Sequence, residues 1–329
     1  MTKTFPVISS ILSAKEIGDF IKTRYQLNPK LQCRLFRTGM NHTYILSGSE
    51  EKYVLRLYTY NWRTLNEIKA ELQLLLYLHQ KGIQVSLPIP DKNENLIQQI
   101  EALEGIRYAV LFSFASGEKK RFIKDKTAAT IGLIMAKFHQ VTVDKKIDRI
   151  SYTKNTLLEK PYQNLKSYFS EQLPEMRFIE EYIKSFSNVE FEDMQKGSVH
   201  MDIWYDNMAI LNDIDITLFD FDFCGNGCQI LDVGYFCKQL FHIESDKQQF
   251  LLKTQSFLKG YHTNRPLSKK EIDFIPRAGV LVFLFYLGIQ AQRYDWSNIF
   301  LSENYVKMYM AKIQSWINFC QENKIDLNG

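Results

Sequence analysis

His200-Met201-Asp202-Ile203-Trp204-Tyr205-Asp206-Asn207, followed thirteen residues later by Asp220-Phe221-Asp222, is the stretch on which the reading of this chain turns. Written as H-x-D-x-x-x-x-N and D-F-D, it puts an Asp and an Asn five apart in one loop. A further Asp follows a hairpin of β-prone residues, Met208–Leu211 and Ile216–Phe221. Phosphoryl transfer asks for a carboxylate beside an acceptor hydroxyl and for hard oxygen ligands to Mg²⁺ on the phosphates. Asp202, Asn207 and Asp220 supply such a set. Taken singly, Asp and Asn are also ordinary turn formers, so the pattern draws its weight from what surrounds it.

Upstream, three β-like runs, Gln32–Arg37, Thr43–Ser47 and Tyr53–Tyr58, are separated by turns containing Gly39 and Gly48 and predict an antiparallel meander. Capping boxes at Ser13/Glu16, Thr64/Glu67 and Ser268/Glu271 mark helix starts. The helix from Thr64 carries Ile68, Leu72, Leu75, Leu76 and Leu78 at helical spacing and stops at Lys81-Gly82. Asn95–Ile100 and Arg107–Phe114 complete a five-strand sheet with one inserted helix. After Ser116-Gly117 the pattern turns helical. Asp125 is expected to cap a segment through His139, and residues 156–187 read as helix with breaks at Pro161 and Pro174. The expectation is an α+β bilobal fold: a small antiparallel sheet lobe over residues 1–115, a hinge near Phe112–Gly117, and a larger, mostly helical lobe over 116–329.

Composition agrees with an enzyme of two lobes and excludes other classes. The chain has 329 residues, 45% apolar and 24% charged, which is globular rather than disordered. Its net charge of +4 sits in residues 1–115, which hold 14 Lys/Arg against 10 Asp/Glu. That suits a polyanion such as a triphosphate. No dense basic run with interleaved aromatics points to nucleic acid. Five scattered cysteines predict reduced thiols in a cytoplasmic protein. Cys224 and Cys228 bracket a glycine-rich turn, but no second pair or histidine cluster completes a metal site. The apolar run Gly279–Ile289 falls short of the roughly 20 residues that span a bilayer and reads as a buried helix. No membrane partner is expected, and oligomeric state is not legible.

These motifs, in this order, resemble the aminoglycoside phosphotransferase/choline kinase family, the small-molecule branch of the protein-kinase-like fold, over roughly residues 30–245. The resemblance implies ATP and Mg²⁺ as cofactors and a small hydroxyl-bearing acceptor. It makes Asp202 the catalytic base, Asn207 and Asp220 the metal ligands, and Asp222 a secondary metal or structural carboxylate. Asp232 resembles the family's later Asp that braces the catalytic loop. Met201 stands where many members have Gly. Arg37-Thr38-Gly39-Met40-Asn41 resembles the nucleotide loop, with Gly39 and Asn41 near the phosphates, where backbone N–H groups approach. Arg56 occupies the place of the phosphate-binding Lys, with Glu71 as its orienting partner and Glu67 as a rival. Phe112 and Phe114 would border the adenine. There is no G-x-x-x-x-G-K-[ST], which excludes a P-loop enzyme.

Alternatives stay open at this point. His200 is read as packing behind the loop; His42, His79, His139, His242 and His262 show no ligand spacing and are read as non-catalytic. Tyr286, Tyr294 and Trp296, with Trp204 and Tyr205, can be drawn as a cage for a cationic acceptor or as core, since Phe283, Tyr286 and Leu287 recur at helical spacing. By function, the competing readings are a protein Ser/Thr kinase of the bacterial stress-response type and a decayed nucleotide-binding module. The acceptor classes left open are amino alcohols, choline or ethanolamine, homoserine, and amino sugars.

Overall fold

The structure is a computed structural model that describes residues 3–297 and 299–325. Its contacts divide the chain into two units: Met1–His79, Ser86–Ala115 and Arg293–Ile299 in one, Gln80–Val85, Ser116–Gln292 and Phe300–Gly329 in the other. Relative to the expected 1–115 and 116–329, two segments are exchanged. The backbone carbonyl of Gln84 accepts from Leu218 N, and the Trp296 ring lies tilted against Trp62 with centroids 5.8 Å apart. Packing, not chain order, assigns these segments.

In the first unit, helix α1 (Ala14–Tyr25) precedes strands β1 (Gln32–Thr38), β2 (His42–Ser47) and β3 (Lys52–Leu57). Helix α2 (Leu65–Gln80) follows, then β4 (Gln98–Ala102) and β5 (Gly105–Ser113). The five strands form one antiparallel sheet in the order β1-β2-β3-β5-β4. Strand alternation decides the two faces. Tyr44, Leu46, Leu55, Leu57, Ala109 and Leu111 face one way and pack on Ile17, Ile21 and Tyr25 of α1. Burying each leucine or isoleucine of this set is worth about 1.5–3 kcal/mol. Val54, Arg56, Val110 and Phe112 alternate with these residues on the opposite face. The Thr64/Glu67 capping box closes reciprocally, with Thr64 N donating to Glu67 Oε2 (2.9 Å) and Glu67 N to Thr64 Oγ1 (3.2 Å). The helix ends at Gln80, and Gly82 just beyond it has a φ of +75° that suits glycine.

The second unit carries α3 (Asp125–Val141), α4 (Lys160–Lys166), α5 (Pro174–Ser185), α6 (Ile230–Ile243), α7 (Lys247–Asn264), α8 (Lys269–Gln292) and α9 (Glu303–Glu322). Two antiparallel ribbons pair β6 (Lys196–Val199) with β9 (Gly225–Cys228), and β7 (Met208–Leu211) with β8 (Asp215–Leu218). The first ribbon went unforeseen because Gly225-Asn226-Gly227 reads as a turn. A Cβ on Gly225 would lie 2.5 Å from Ile150 O, so a glycine strand is what fits there. Cys224 and Cys228 are buried thiols, and no group of three or more His, Cys, Asp or Glu gathers as a metal site among the described residues. The strand foreseen to run to Phe221 stops at Leu218, because Asp220 takes a left-handed conformation at φ 64°. Asp125 begins α3 but does not cap it; the cap position is Lys124, without a side-chain bond.

α6 and α8 touch backbone to backbone: a Cβ on Gly234 would meet Ala278 Cβ at 2.5 Å and Gly279 N at 2.7 Å. The apolar run Gly279–Ile289 is part of a 24-residue helix, longer than foreseen. By length and composition α8 could cross a membrane, yet 67% of its most apolar window is buried inside the fold. It is the core helix against which α6 is set.

Candidate active site

The first unit contributes a buried ion pair. Arg56 Nη1 lies 2.8 Å from Glu71 Oε1, and Tyr58 Oη donates to Glu71 Oε2 at 3.0 Å. Glu71 is wholly buried and Arg56 is 12% exposed. The guanidinium also sits 5.3 Å from the Phe112 ring, so the cation is oriented from two sides. Glu67, the rival partner, is committed to the capping box. Phe112 is buried, whereas Phe114 is half-exposed under the Lys52 ammonium, 3.8 Å from its ring.

Gly39 and Asn41 form the turn between β1 and β2. Gly39 N donates to Asn41 O (3.1 Å), and Asn41 Oδ1 accepts from Thr59 N (3.3 Å). The N–H of Gly39 therefore serves the turn. A Cβ on Gly39 would meet Asn41 O at 3.7 Å and Arg37 Nε at 3.9 Å, both ordinary contacts.

The second unit holds the catalytic-loop pattern. Asn207 Nδ2 donates to Asp202 Oδ2 at 2.6 Å and to Asp202 O at 3.0 Å. Tyr235 Oη donates to Asp202 Oδ1 at 2.6 Å. Burial pushes the Asp202 carboxyl up to about 8; the Tyr235 bond opposes this and the nearby Asp220 charge adds to it. Burial likewise holds the Tyr235 hydroxyl well above its usual range, so it stays a donor. Asp220 lies directly after the β7–β8 ribbon, its left-handed φ setting it apart from the strand.

The loop is anchored from behind. Asp232, in the first turn of α6, accepts His200 N (2.8 Å) on Oδ2 and Met201 N (2.7 Å) on Oδ1. His139 Nε2 is 3.0 Å from Asp232 Oδ2, and its Nδ1 is 2.6 Å from Tyr261 Oη. His139 thus braces the brace. His200 is fully buried, its Nε2 3.2 Å from Phe219 O and its Nδ1 accepting from Asp202 N. Met201, in the glycine-favoured slot, adopts φ 69° with its side chain fully buried. Such a conformation costs about 1–3 kcal/mol. Its N–H is tied to Asp232, and its carbonyl accepts from Tyr286 Oη at 3.3 Å.

Asp202, Asn207 and Asp220 are therefore brought together in one unit, and Arg56, Glu71 and Phe112 in the other. Asp222 is buried, and its backbone carbonyl accepts from Arg149. Of the aromatics drawn as a cage, Tyr286 stacks on Tyr235 at 5.7 Å and Trp204 lies 4.7 Å from Tyr205 in one unit, and Trp296 lies 5.8 Å from Trp62 in the other. Sequence reasoning missed Tyr235, Gln239, His139 and Arg149. The spacing of Asp232, Tyr235 and Gln239, three and then four residues, was the available signal for the first two.

An antiparallel sheet lobe with a buried Arg–Glu pair, joined in one chain to an Asp–Asn–Asp loop in a helical part, defines a protein-kinase-like phosphotransferase. The family model described as the Phosphotransferase enzyme family matches residues 32–267, and the chain belongs to that family. It is similar to a homoserine kinase of Agrobacterium fabrum, 25% identical over 87% of this chain and 86% of the relative. Among solved structures it resembles an amicoumacin kinase in complex with AMP-PNP, Ca²⁺ and Ami (TM-score 0.76, 19% identity, 96% of each chain). It also resembles a microcompartment-associated aminopropanol kinase (TM-score 0.74, 18% identity, 95% of this chain and 100% of the other). The chain is a kinase that uses ATP to phosphorylate a hydroxyl of a small molecule. These relatives lend no support to the protein-kinase or decayed-module alternatives.

Proposed function

We propose that the chain moves the γ-phosphate of MgATP to a small amino-bearing alcohol, of the size of homoserine or aminopropanol, with Asp202 as the base. The observation that carries this is the Asp202 carboxylate, held on one oxygen by Asn207 and on the other by Tyr235. A carboxylate fixed in this way orients the acceptor hydroxyl and takes its proton while the new O–P bond forms. The bond from the γ-phosphorus to the bridging oxygen breaks, and ADP leaves.

Hard oxygen donors suit Mg²⁺, and the Asn207 and Asp220 side chains would hold it. Asn207 spends its amide nitrogen on Asp202, so its Oδ1 is the atom offered to a cation. When bound, the ion offsets phosphate charge in the transition state. Arg56, kept in place by Glu71, pairs with the triphosphate; its fork permits bidentate contact that Lys lacks. Gly39 contributes clearance for a phosphate, its own N–H being spent on the turn. Residues 1–115 serve the nucleotide, and 116–329 supply the base and acceptor site. The reading places the enzyme in a reducing cytoplasm, in keeping with five free thiols.

The test is ADP release from MgATP with L-homoserine, 1-amino-2-propanol, ethanolamine, choline and kanamycin, beside Asp202→Ala. Turnover with a small amino alcohol that drops by a factor of about 10³ or more in Asp202→Ala is expected. Near-wild-type activity in that variant would remove Asp202 as base, and turnover with kanamycin alone would overturn the acceptor class.

A further inference from the structure

Asp232, Tyr235 and Gln239 lie at spacings of three and four on α6 and so share one face of the helix. Asp232 holds the backbone of the loop. Tyr235 Oη donates to Asp202 Oδ1 at 2.6 Å, and Gln239 Nε2 donates to Tyr235 Oη at 2.8 Å. Building on the assignment of Asp202 as base, we infer that Tyr235 is a positioning residue for the Asp202 carboxylate and that Gln239 acts on the base through Tyr235.

The Tyr235 ring needs no hydroxyl to be packed. It stacks on Tyr286 at 5.7 Å with 30° between planes and lies 6.0 Å from Phe283. The hydroxyl does something further: it meets the Asp202 carboxyl, the proposed base, at 2.6 Å. With Asn207 on Oδ2 and Tyr235 on Oδ1, rotation of the carboxylate is stopped from both ends. Removing either donor loosens the group, with the Tyr286 hydroxyl as the further contact on it. Gln239 supplies the direction. A phenolic oxygen both donates and accepts; with one lone pair taken by Gln239 Nε2, its proton turns toward Asp202. Misplacing a catalytic group by about 1 Å can cost on the order of 10²-fold in rate.

The experiment compares the full chain with Tyr235→Phe, Gln239→Met and the double variant. ADP release from MgATP is read with water, L-homoserine and 1-amino-2-propanol in turn. Tyr235→Phe is expected to lower kcat by about 10–100-fold with KM for ATP changed by no more than about twofold. Gln239→Met should lower kcat by about 3–10-fold alone and have no further effect in the Tyr235→Phe background, because its action runs through that hydroxyl. A reading free of any acceptor is the melting temperature: the losses in Tyr235→Phe and Asp202→Ala should fall short of additive in the double variant. Wild-type kcat in Tyr235→Phe, an equal Gln239→Met effect in both backgrounds, or additive melting losses would each overturn the role. Were Tyr235→Phe not to fold, Gln239→Met decides: lowered kcat at constant KM supports the relay, and unchanged kcat ends it. An inactive Asp202→Ala beside a fully active Tyr235→Phe sinks only the positioning role. Activity in Asp202→Ala sinks the base and this role together.

Discussion

The turn after β1 and the loop after β6 treat glycine in opposite ways. At Gly39 the backbone is not left-handed, and a Cβ would make only ordinary contacts with Asn41 O and Arg37 Nε. Nothing in these contacts demands glycine, and the function proposed above gives the space to a phosphate. At Met201 the backbone does ask for glycine, with φ 69°, yet a full side chain is buried there. The strain is held by bonds at both ends of the residue, from Asp232 and Tyr286. A glycine can thus mark room kept for something outside the protein, while a missing glycine marks where the protein itself has been braced.

Removing the brace should give the largest effect. Asp232→Ala leaves the N–H groups of His200 and Met201, and His139, without their buried acceptor. A loss of about 2–4 kcal/mol in stability and a fall in kcat of about 10³ are expected, read by melting and steady-state rates. Wild-type turnover would mean that the Met201 conformation does not depend on α6.

Next is the cation beside the Gly39 turn. Arg56→Ala takes the cation from the buried Glu71 carboxylate while the Tyr58 hydroxyl stays on it, so about 3 kcal/mol of stability should go, and KM for ATP should rise by about 10–100-fold. Arg56→Lys should fall between, keeping charge without the fork.

Gly39→Ala addresses the comparison itself. Stability should hold to within about 0.5 kcal/mol, while KM for ATP rises by roughly tenfold, because the methyl meets the phosphates and not the protein. A loss of stability with unchanged KM would mean that the glycine serves the turn after all.

The smallest effect separates side chain from backbone at residue 201. Met201→Gly and Met201→Ala both remove the buried thioether, but only Gly relieves φ 69°. The Gly variant should be the more stable of the two by about 1 kcal/mol. Equal stabilities would show that the braces leave no strain to relieve.

Much of the first unit was legible because its signals are short-range. Alternation in β3 sets Arg56 on the face opposite Leu55 and Leu57, and the Thr64/Glu67 box occupies Glu67, which leaves Glu71 as the partner fifteen residues from Arg56. In the second unit the motif, strand β7 and helices α3 and α8 were legible, but not what holds the motif in place. The β6–β9 ribbon was hidden in glycines that no propensity marks as strand, and the supports of Asp202 come from far along the chain: Tyr235 is 33 residues away, and Asp232 reaches Met201 across 31.

The order of motifs by itself determined the family and the use of a phosphate donor, and it singled out the Asp, Asn and Arg proposed for the chemistry, because residue type at fixed spacing is what such chemistry requires. Only the tertiary structure decided which groups hold those residues still. A hydrogen-bond partner is chosen by what the packing of α6 against α8 brings within about 3 Å, and that distance is set by helices meeting at Gly234 and Gly279, not by any pattern near Asp202.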